Sequence, residues 1–114
     1  MADHEYIVLS KSPEGVGSQE YNDWYDIHMR EILEIPGFVS AQRSALTLRG
    51  SRGEAFEYEY LVRYGIDGDI DATLAGLREA VEAGRLYFPD WFPAIRTSGF
   101  EVSPLTETVS AVAT

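Results

Sequence analysis

The sequence predicts an α+β domain with the element order β-α-β-β-α-β. Three observations carry that expectation. Two stretches place apolar side chains at three- and four-residue steps, the runs around them have strand-like composition, and the breaks containing Gly and Pro are close enough to fit six elements into 114 residues.

The first strand is read from His4 to Ser10, short and apolar, followed by a loop from Lys11 to Ser18 that contains Pro13, Gly15 and Gly17. Ser18 stands where an N-cap is expected. Tyr21, Trp24, Tyr25, His28, Ile32 and Ile35 then share one helical face, and Asn22, Asp23, Asp26, Arg30 and Glu34 fall on the other, until Pro36 and Gly37 stop the helix. The run from Phe38 to Arg49, the turn Gly50-Ser51-Arg52-Gly53 and the run from Ala55 to Tyr64 read as a hairpin. In its second strand Phe56, Tyr58, Tyr60, Val62 and Tyr64 occupy one face.

Ile70, Leu74, Leu77 and Val81 mark a second helix that Asp67 or Asp69 can cap and Gly84 can end. An aromatic connection from Arg85 to Pro93 leads to a last strand from about Ile95 to Val102, and a tail from about residue 104 is expected to be mobile or to lie at a dimer interface. This order is the split βαβ, or ferredoxin-like, arrangement: a four-stranded antiparallel sheet with two helices on one face, in a single domain spanning 1–114. The first strand is apolar on both sides. The second sheet face therefore needs a cover, and a two-fold dimer stacked sheet on sheet is the simplest one.

Composition narrows the function. Nine basic against 19 acidic residues give a net charge of −10, which repels nucleic acid and anionic lipid, and the arginines are scattered along the chain. The expected partners are thus a second copy of the chain and a small apolar or aromatic metabolite, with no nucleic acid and no membrane. With no cysteine and a lone Lys11 there is neither a thiolate nucleophile nor much scope for Schiff-base chemistry. No signal-peptide or membrane-spanning pattern stands at the start of the sequence, so a cytoplasmic location is expected.

Two segments, Glu20-Tyr-Asn-Asp-Trp-Tyr-Asp-Ile-His28 and Ile35-Pro-Gly-Phe-Val-Ser-Ala-Gln-Arg43, carry a further likeness. The chain resembles the dimeric α/β-barrel superfamily, and within it the EthD-like and stress-responsive barrel proteins, whose first helix bears Trp-Tyr, two residues and His before a Pro-Gly-Phe turn. The likeness covers most of the chain. It implies a pocket between helices and sheet with His28 beside it, in a superfamily of cofactor-free monooxygenases, cyclases, isomerases, dehydratases and decarboxylases. Ile27 stands where that pattern more often carries an acidic residue.

His28 is the candidate acid and base, because a partly desolvated imidazole can accept and return a proton near neutral pH. Its bland alternative is a core histidine bonded to a carbonyl or a tyrosine. Tyr60 and Arg43 are the candidates for polarising or clamping a substrate oxygen, set against the ordinary roles of sheet core and ion pair. Tyr6, Trp24, Tyr25, Tyr58, Tyr87, Phe88, Trp91 and Phe92 are the candidates for the substrate wall, though rings in such places often serve packing alone.

Glu57 and Glu59 give only a weak glycosidase spacing, His28 with Glu31 is an incomplete metal pair, and Gly15-Val-Gly17 is too short for a phosphate loop. No metal or cofactor is expected. These readings converge on a cofactor-free lyase or isomerase that acts by proton transfer on a small carbonyl, lactone or phenolic compound. A noncatalytic ligand-binding dimer and a cofactor-free monooxygenase are the alternatives.

Overall fold

The computed structural model describes residues 3–49 and 56–112. Its elements are β1 (His4–Lys11), α1 (Ser18–Ile32), β2 (Phe38–Ala45), β3 (Tyr60–Ile66), α2 (Ile70–Glu82), a 3₁₀ turn (Phe92–Ala94) and β4 (Arg96–Val102). The strands form one sheet in the order β2-β3-β1-β4, with every neighbouring pair antiparallel. This is the ferredoxin-like α+β architecture that the element order predicts.

α1 forms because its rings and aliphatic groups recur on one face, where Tyr21, Trp24, Tyr25 and Ile32 are buried. Its N-cap is Gly17 rather than Ser18, so the expected cap is displaced by one residue, and Ser18 is already helical. Glu20 in the first turn faces the positive end of the helix dipole. The helix closes at Ile32, earlier than the apolar pattern running to Ile35 suggests. Tighter turns follow, with the Glu34 N–H donating to the Glu31 carbonyl and the Ile35 N–H to the Ile32 carbonyl. Gly37 then adopts φ +101°, and a side chain there would also collide with Thr73 on α2.

Asp69, not Asp67, caps α2, its carboxylate accepting from the Asp71 and Ala72 N–H groups at 2.9 and 3.2 Å. Gly84, at φ +72°, ends the helix just past its Ala83 C-cap. The expected α2 stripe is rotated: Thr73 and Ala80 are its buried residues, Ile70, Leu74 and Leu77 are half-buried, and Val81 is exposed.

The expected turn at 50–53 and the strand start at Ala55 lie outside the described residues. Among those described, β3 begins only at Tyr60. Phe56 and Tyr58 pack edge-to-face on each other at 5.6 Å instead of continuing the tyrosine row, and Glu57 pairs with Arg96. The Glu59 N–H donates to the Ser10 carbonyl and the Leu46 N–H to the Glu59 carbonyl, both at 2.9 Å, so the backbone is guided toward the ladder.

Register sorts the two sheet faces. Tyr6, Val8 and Ser10 on β1 pair with Tyr64, Val62 and Tyr60 on β3, and this is the face that the helices cover. The opposite face carries Ile7, Leu9, Leu61, Phe100 and Val102. Ile7 is buried there, whereas Phe100 and Val102 remain exposed. All of β4 and residues 103–112 are exposed, including Leu105, Val109 and Val112.

Candidate functional site

A cavity of about 240 Å³ lies between the helices and the inner sheet face. α1 contributes Trp24, Tyr25 and His28, β1 and β3 contribute Tyr6 and Tyr64, the connection after α2 contributes Phe88 and Phe92, and β4 contributes Thr97 and Gly99. Its walls are mainly apolar. A larger groove of about 450 Å³ between the end of α1 and α2 is lined by Glu31, Glu34, Glu79 and small residues, and none of the candidate side chains reaches it.

Four residues on α1 make one turn, so the His28 imidazole lies parallel to the Trp24 indole at a centroid distance of 4.6 Å and 22°. Tyr25 meets it edge-on at 5.6 Å, and Phe88 is tilted against it at 5.8 Å. The imidazole is half-buried among these rings, and the burial lowers the His28 pKa to about 4. Its Nδ1 is buried and has no hydrogen-bond partner among the described residues. The bland alternative of an imidazole engaged by a carbonyl or a tyrosine is therefore not met at that nitrogen. Ile27 is 52% exposed, so an acidic residue in its place would lie on the solvent side of α1 rather than beside the imidazole.

Burial pushes the phenols in the other direction. Tyr21, Tyr25 and Tyr64 all have pKa values raised above the usual tyrosine value, chiefly by desolvation. They stay protonated at neutral pH and can donate but not accept a proton. Within this buried cluster, neutral His28 alone offers a proton-accepting nitrogen at pH 7.

The sequence candidates divide into two groups. Tyr6, Trp24, Tyr25, His28, Phe88 and Phe92 come together at the cavity. Tyr60 and Arg43 stand apart from it, behind Tyr25. There the Arg43 guanidinium lies 4.5 Å from the Tyr25 ring centroid, 5.0 Å from Tyr60 and 5.7 Å from Tyr21. Its Nη1 donates to Asn22 Oδ1 at 2.8 Å, and its buried Nη2 has no partner among the described residues. Tyr60 stacks on Tyr21 at 5.3 Å, and the Tyr21 hydroxyl donates to Ser10 Oγ at 2.6 Å. The two candidate oxygen-polarising groups thus form a packing cluster separate from the imidazole.

Tyr58 is likewise away from the cavity, against Phe56. The Tyr87 side chain is exposed, but its backbone is fastened on both sides: the carbonyl accepts from Trp24 Nε1 at 3.0 Å and the N–H donates to the Glu31 carboxylate at 3.1 and 3.2 Å. Trp91 supports the wall from behind, packing edge-on against Trp24 at 5.4 Å and donating from Nε1 to Glu20 at 3.1 Å. Tyr64, Thr97 and Gly99 are cavity residues that the sequence reading did not single out. Tyr64 had a visible signal, since it shares the inner face with Tyr60; Thr97 and Gly99 had none, because the pairing of β4 with β1 brings them in.

No His, Asp or Glu cluster among the described residues has a metal-ligand arrangement. Among them, no helix is long and apolar enough to cross a membrane.

Neither a family model nor a curated protein matches the sequence. Solved structures do match. A protein of Arabidopsis thaliana superposes with a TM-score of 0.67 at 9% identity, covering 93% of this chain and 99% of that one. SnoaB of Streptomyces nogalater, a cofactor-independent oxygenase, gives a TM-score of 0.57 at 16% identity, covering 93% and 97% of the two chains. An EthD-family protein of Bacillus halodurans gives 0.55 at 15% identity, covering 92% and 100%. Likeness of this kind speaks to architecture. Element order, sheet order and these superpositions agree: the chain has the ferredoxin-like α+β fold.

Proposed function

We propose that the protein is an enzyme that binds a small, largely planar enolisable ketone or phenol in the cavity, with His28 taking the acidic proton. The observation that carries this reading is that His28 lines a mainly apolar cavity of about 240 Å³ while its buried Nδ1 has no hydrogen-bond partner among the described residues. Leaving such a nitrogen unsatisfied costs about 1–3 kcal/mol, and a ligand hydroxyl that reaches it after a small turn of the ring would recover that cost. The volume is below the roughly 300–1,000 Å³ of pockets for drug-sized molecules, which favours a substrate of one or two rings.

A pKa of about 4 makes free His28 a weak base. The substrate itself corrects this: once the proton moves, imidazolium and enolate face each other in a mainly apolar site, where their attraction opposes the desolvation that depressed the pKa. Two fates are open to the carbanion. Return of the proton at another atom is isomerase chemistry and expulsion of a leaving group from the carbanion is lyase chemistry; for both, the expected oxygen-polarising groups, Tyr60 and Arg43, stand away from His28. Electron transfer to dioxygen needs no second acid, and the oxygenase activity given for the similarly folded SnoaB supports it as the preferred reading. The step balances when one activated methylene and one dioxygen give one carbonyl and one water: the carbon loses four electrons, dioxygen gains four, and the two C–H hydrogens leave in the water.

The working unit in this reading is a homodimer closed over the outer sheet face. A compact 12.7 kDa monomer exposes roughly 6,200 Å², whereas this chain exposes 8088 Å². The excess of roughly 1,900 Å² is more than the ~800 Å² per partner of a standard interface. The radius of gyration, 16.0 Å, also exceeds the roughly 13 Å expected for this length.

The test uses 2-tetralone in D2O, following loss of its α-proton signal by NMR anaerobically and oxygen uptake in air. Exchange and uptake that both vanish in His28→Gln support the proposal. Exchange without uptake moves the assignment to isomerase or lyase chemistry, and binding without either outcome favours the noncatalytic ligand-binding protein. Exchange undiminished by the substitution overturns the role of His28.

A further inference from the structure

Tyr6 on β1 and Gly99 on β4 are diagonal neighbours on the inner face, since Gly99 pairs with Val8 and Tyr6 with Glu101. The phenol lies directly over the glycine. A Cβ added to Gly99 would stand 2.9 Å from Tyr6 Cζ and 3.3 Å from Cε2, and nearer still to the hydroxyl oxygen.

The backbone does not itself call for glycine here. Positive φ occurs at Gly15, Gly37, Gly68 and Gly84 but not at Gly99, which sits in regular strand geometry that any residue can adopt. Glycine within a strand carries an intrinsic cost of roughly 0.5–1 kcal/mol relative to alanine. What a side chain at this position would displace is the Tyr6 ring, and both residues line the cavity. Lifting the ring from β4 moves it off the sheet into the space the cavity occupies.

Seated on Gly99, the Tyr6 phenol lines the cavity, and Thr97 lines the same side of it. His28 lies on the helix wall and Tyr6 on the sheet wall. We infer that Gly99 sets the depth of the cavity by seating the Tyr6 phenol, and that this hydroxyl is the sheet-side anchor for a planar aromatic ligand bearing oxygen at both ends. This inference rests on the cavity being the ligand site.

Calorimetric titration with 2,6-dihydroxynaphthalene, which has oxygen at both ends, and 2-naphthol, which has one, tests it. Gly99→Ala is expected to weaken diol binding tenfold or more with an unchanged circular dichroism spectrum. Tyr6→Leu is expected to remove the preference for the diol over 2-naphthol. Adding Gly99→Ala to Tyr6→Leu is expected to change affinity less than twofold, because the ring that would be displaced is already gone. This pair of variants also decides the matter should Gly99→Ala alone fail to fold. Equal binding by wild type and Gly99→Ala, or an undiminished effect of Gly99→Ala in the Tyr6→Leu background, overturns the inference and leaves the cavity reading intact. Failure of wild type to bind either compound overturns both.

Discussion

Replacing His28 by phenylalanine keeps a flat ring against Trp24 and removes the titrating group, so it converts the burial of the imidazole into a measurable pH dependence. The folded pKa of about 4 lies below the ordinary value of 6.5, so between those values the unfolded chain binds more protons than the native one. Stability must therefore fall as pH drops through 6.5 and stop falling, for this group, below about 4. At roughly 1.4 kcal/mol per unit of pKa difference, the His28 contribution to that loss is on the order of 1 kcal/mol at pH 5.5 and 2–3 kcal/mol at pH 4.5. Carboxylates titrate in both proteins and cancel in the comparison. Urea denaturation at pH 7.5, 5.5 and 4.5 should show the wild type losing about 2–3 kcal/mol more than His28→Phe across the range. Parallel stability profiles, or an NMR titration placing the imidazole near 6.5, would refute the view that this ring is desolvated.

Four further outcomes follow from the same geometry. If His28 acts in its neutral form, kcat/KM on any turned-over ketone should be flat from pH 5.5 to 8, without an inflection near 6.5; a rate that declines below pH 7 with a single protonation contradicts the lowered pKa. Tyr21→Phe leaves Ser10 without its buried 2.6 Å hydrogen bond and should cost about 1–2 kcal/mol in urea denaturation. Gly37→Ala meets both a positive φ and Thr73, and is expected to destabilise by about 2 kcal/mol or more, seen as a lowered Tm. Replacing Phe100 and Leu105 together by serine should shift sedimentation from dimer toward monomer at micromolar concentration while the far-UV spectrum is retained, and an unchanged sedimentation coefficient argues against the outer face as the interface.

Much of the architecture was legible because the relevant information is local. The α1 stripe repeats at helical spacing, Pro36 and Gly37 punctuate it, and Asp69 is placed to cap α2. The cavity is not local. The alternation in β3 correctly places Tyr60 and Tyr64 on one face but cannot say which end of the strand faces His28. Tyr64 pairs with Tyr6 and Tyr60 with Ser10, four residues and roughly 13 Å farther along β1. Tyr60 and Arg43 therefore belong to the far end, where three rings surround the guanidinium. The aromatic content of the connection after α2 was plain, yet only packing divides it into Phe88 and Phe92 at the cavity, Trp91 behind it and Tyr87 facing outward. Gly99 had no sequence signal, since its role is defined by a ring on another strand.

The fastening of residue 87 by its main chain separates the shape of the site from the chemistry of the neighbouring surface. Trp24 holds its carbonyl and Glu31 holds its amide, so the path of the segment that carries Phe88 is independent of whichever side chain projects at position 87. A lineage could exchange that tyrosine for a charged or small residue and remodel the exterior while Phe88 keeps its place. Proline is the exception: it has no amide hydrogen to give Glu31, and the segment would lose one of its two moorings.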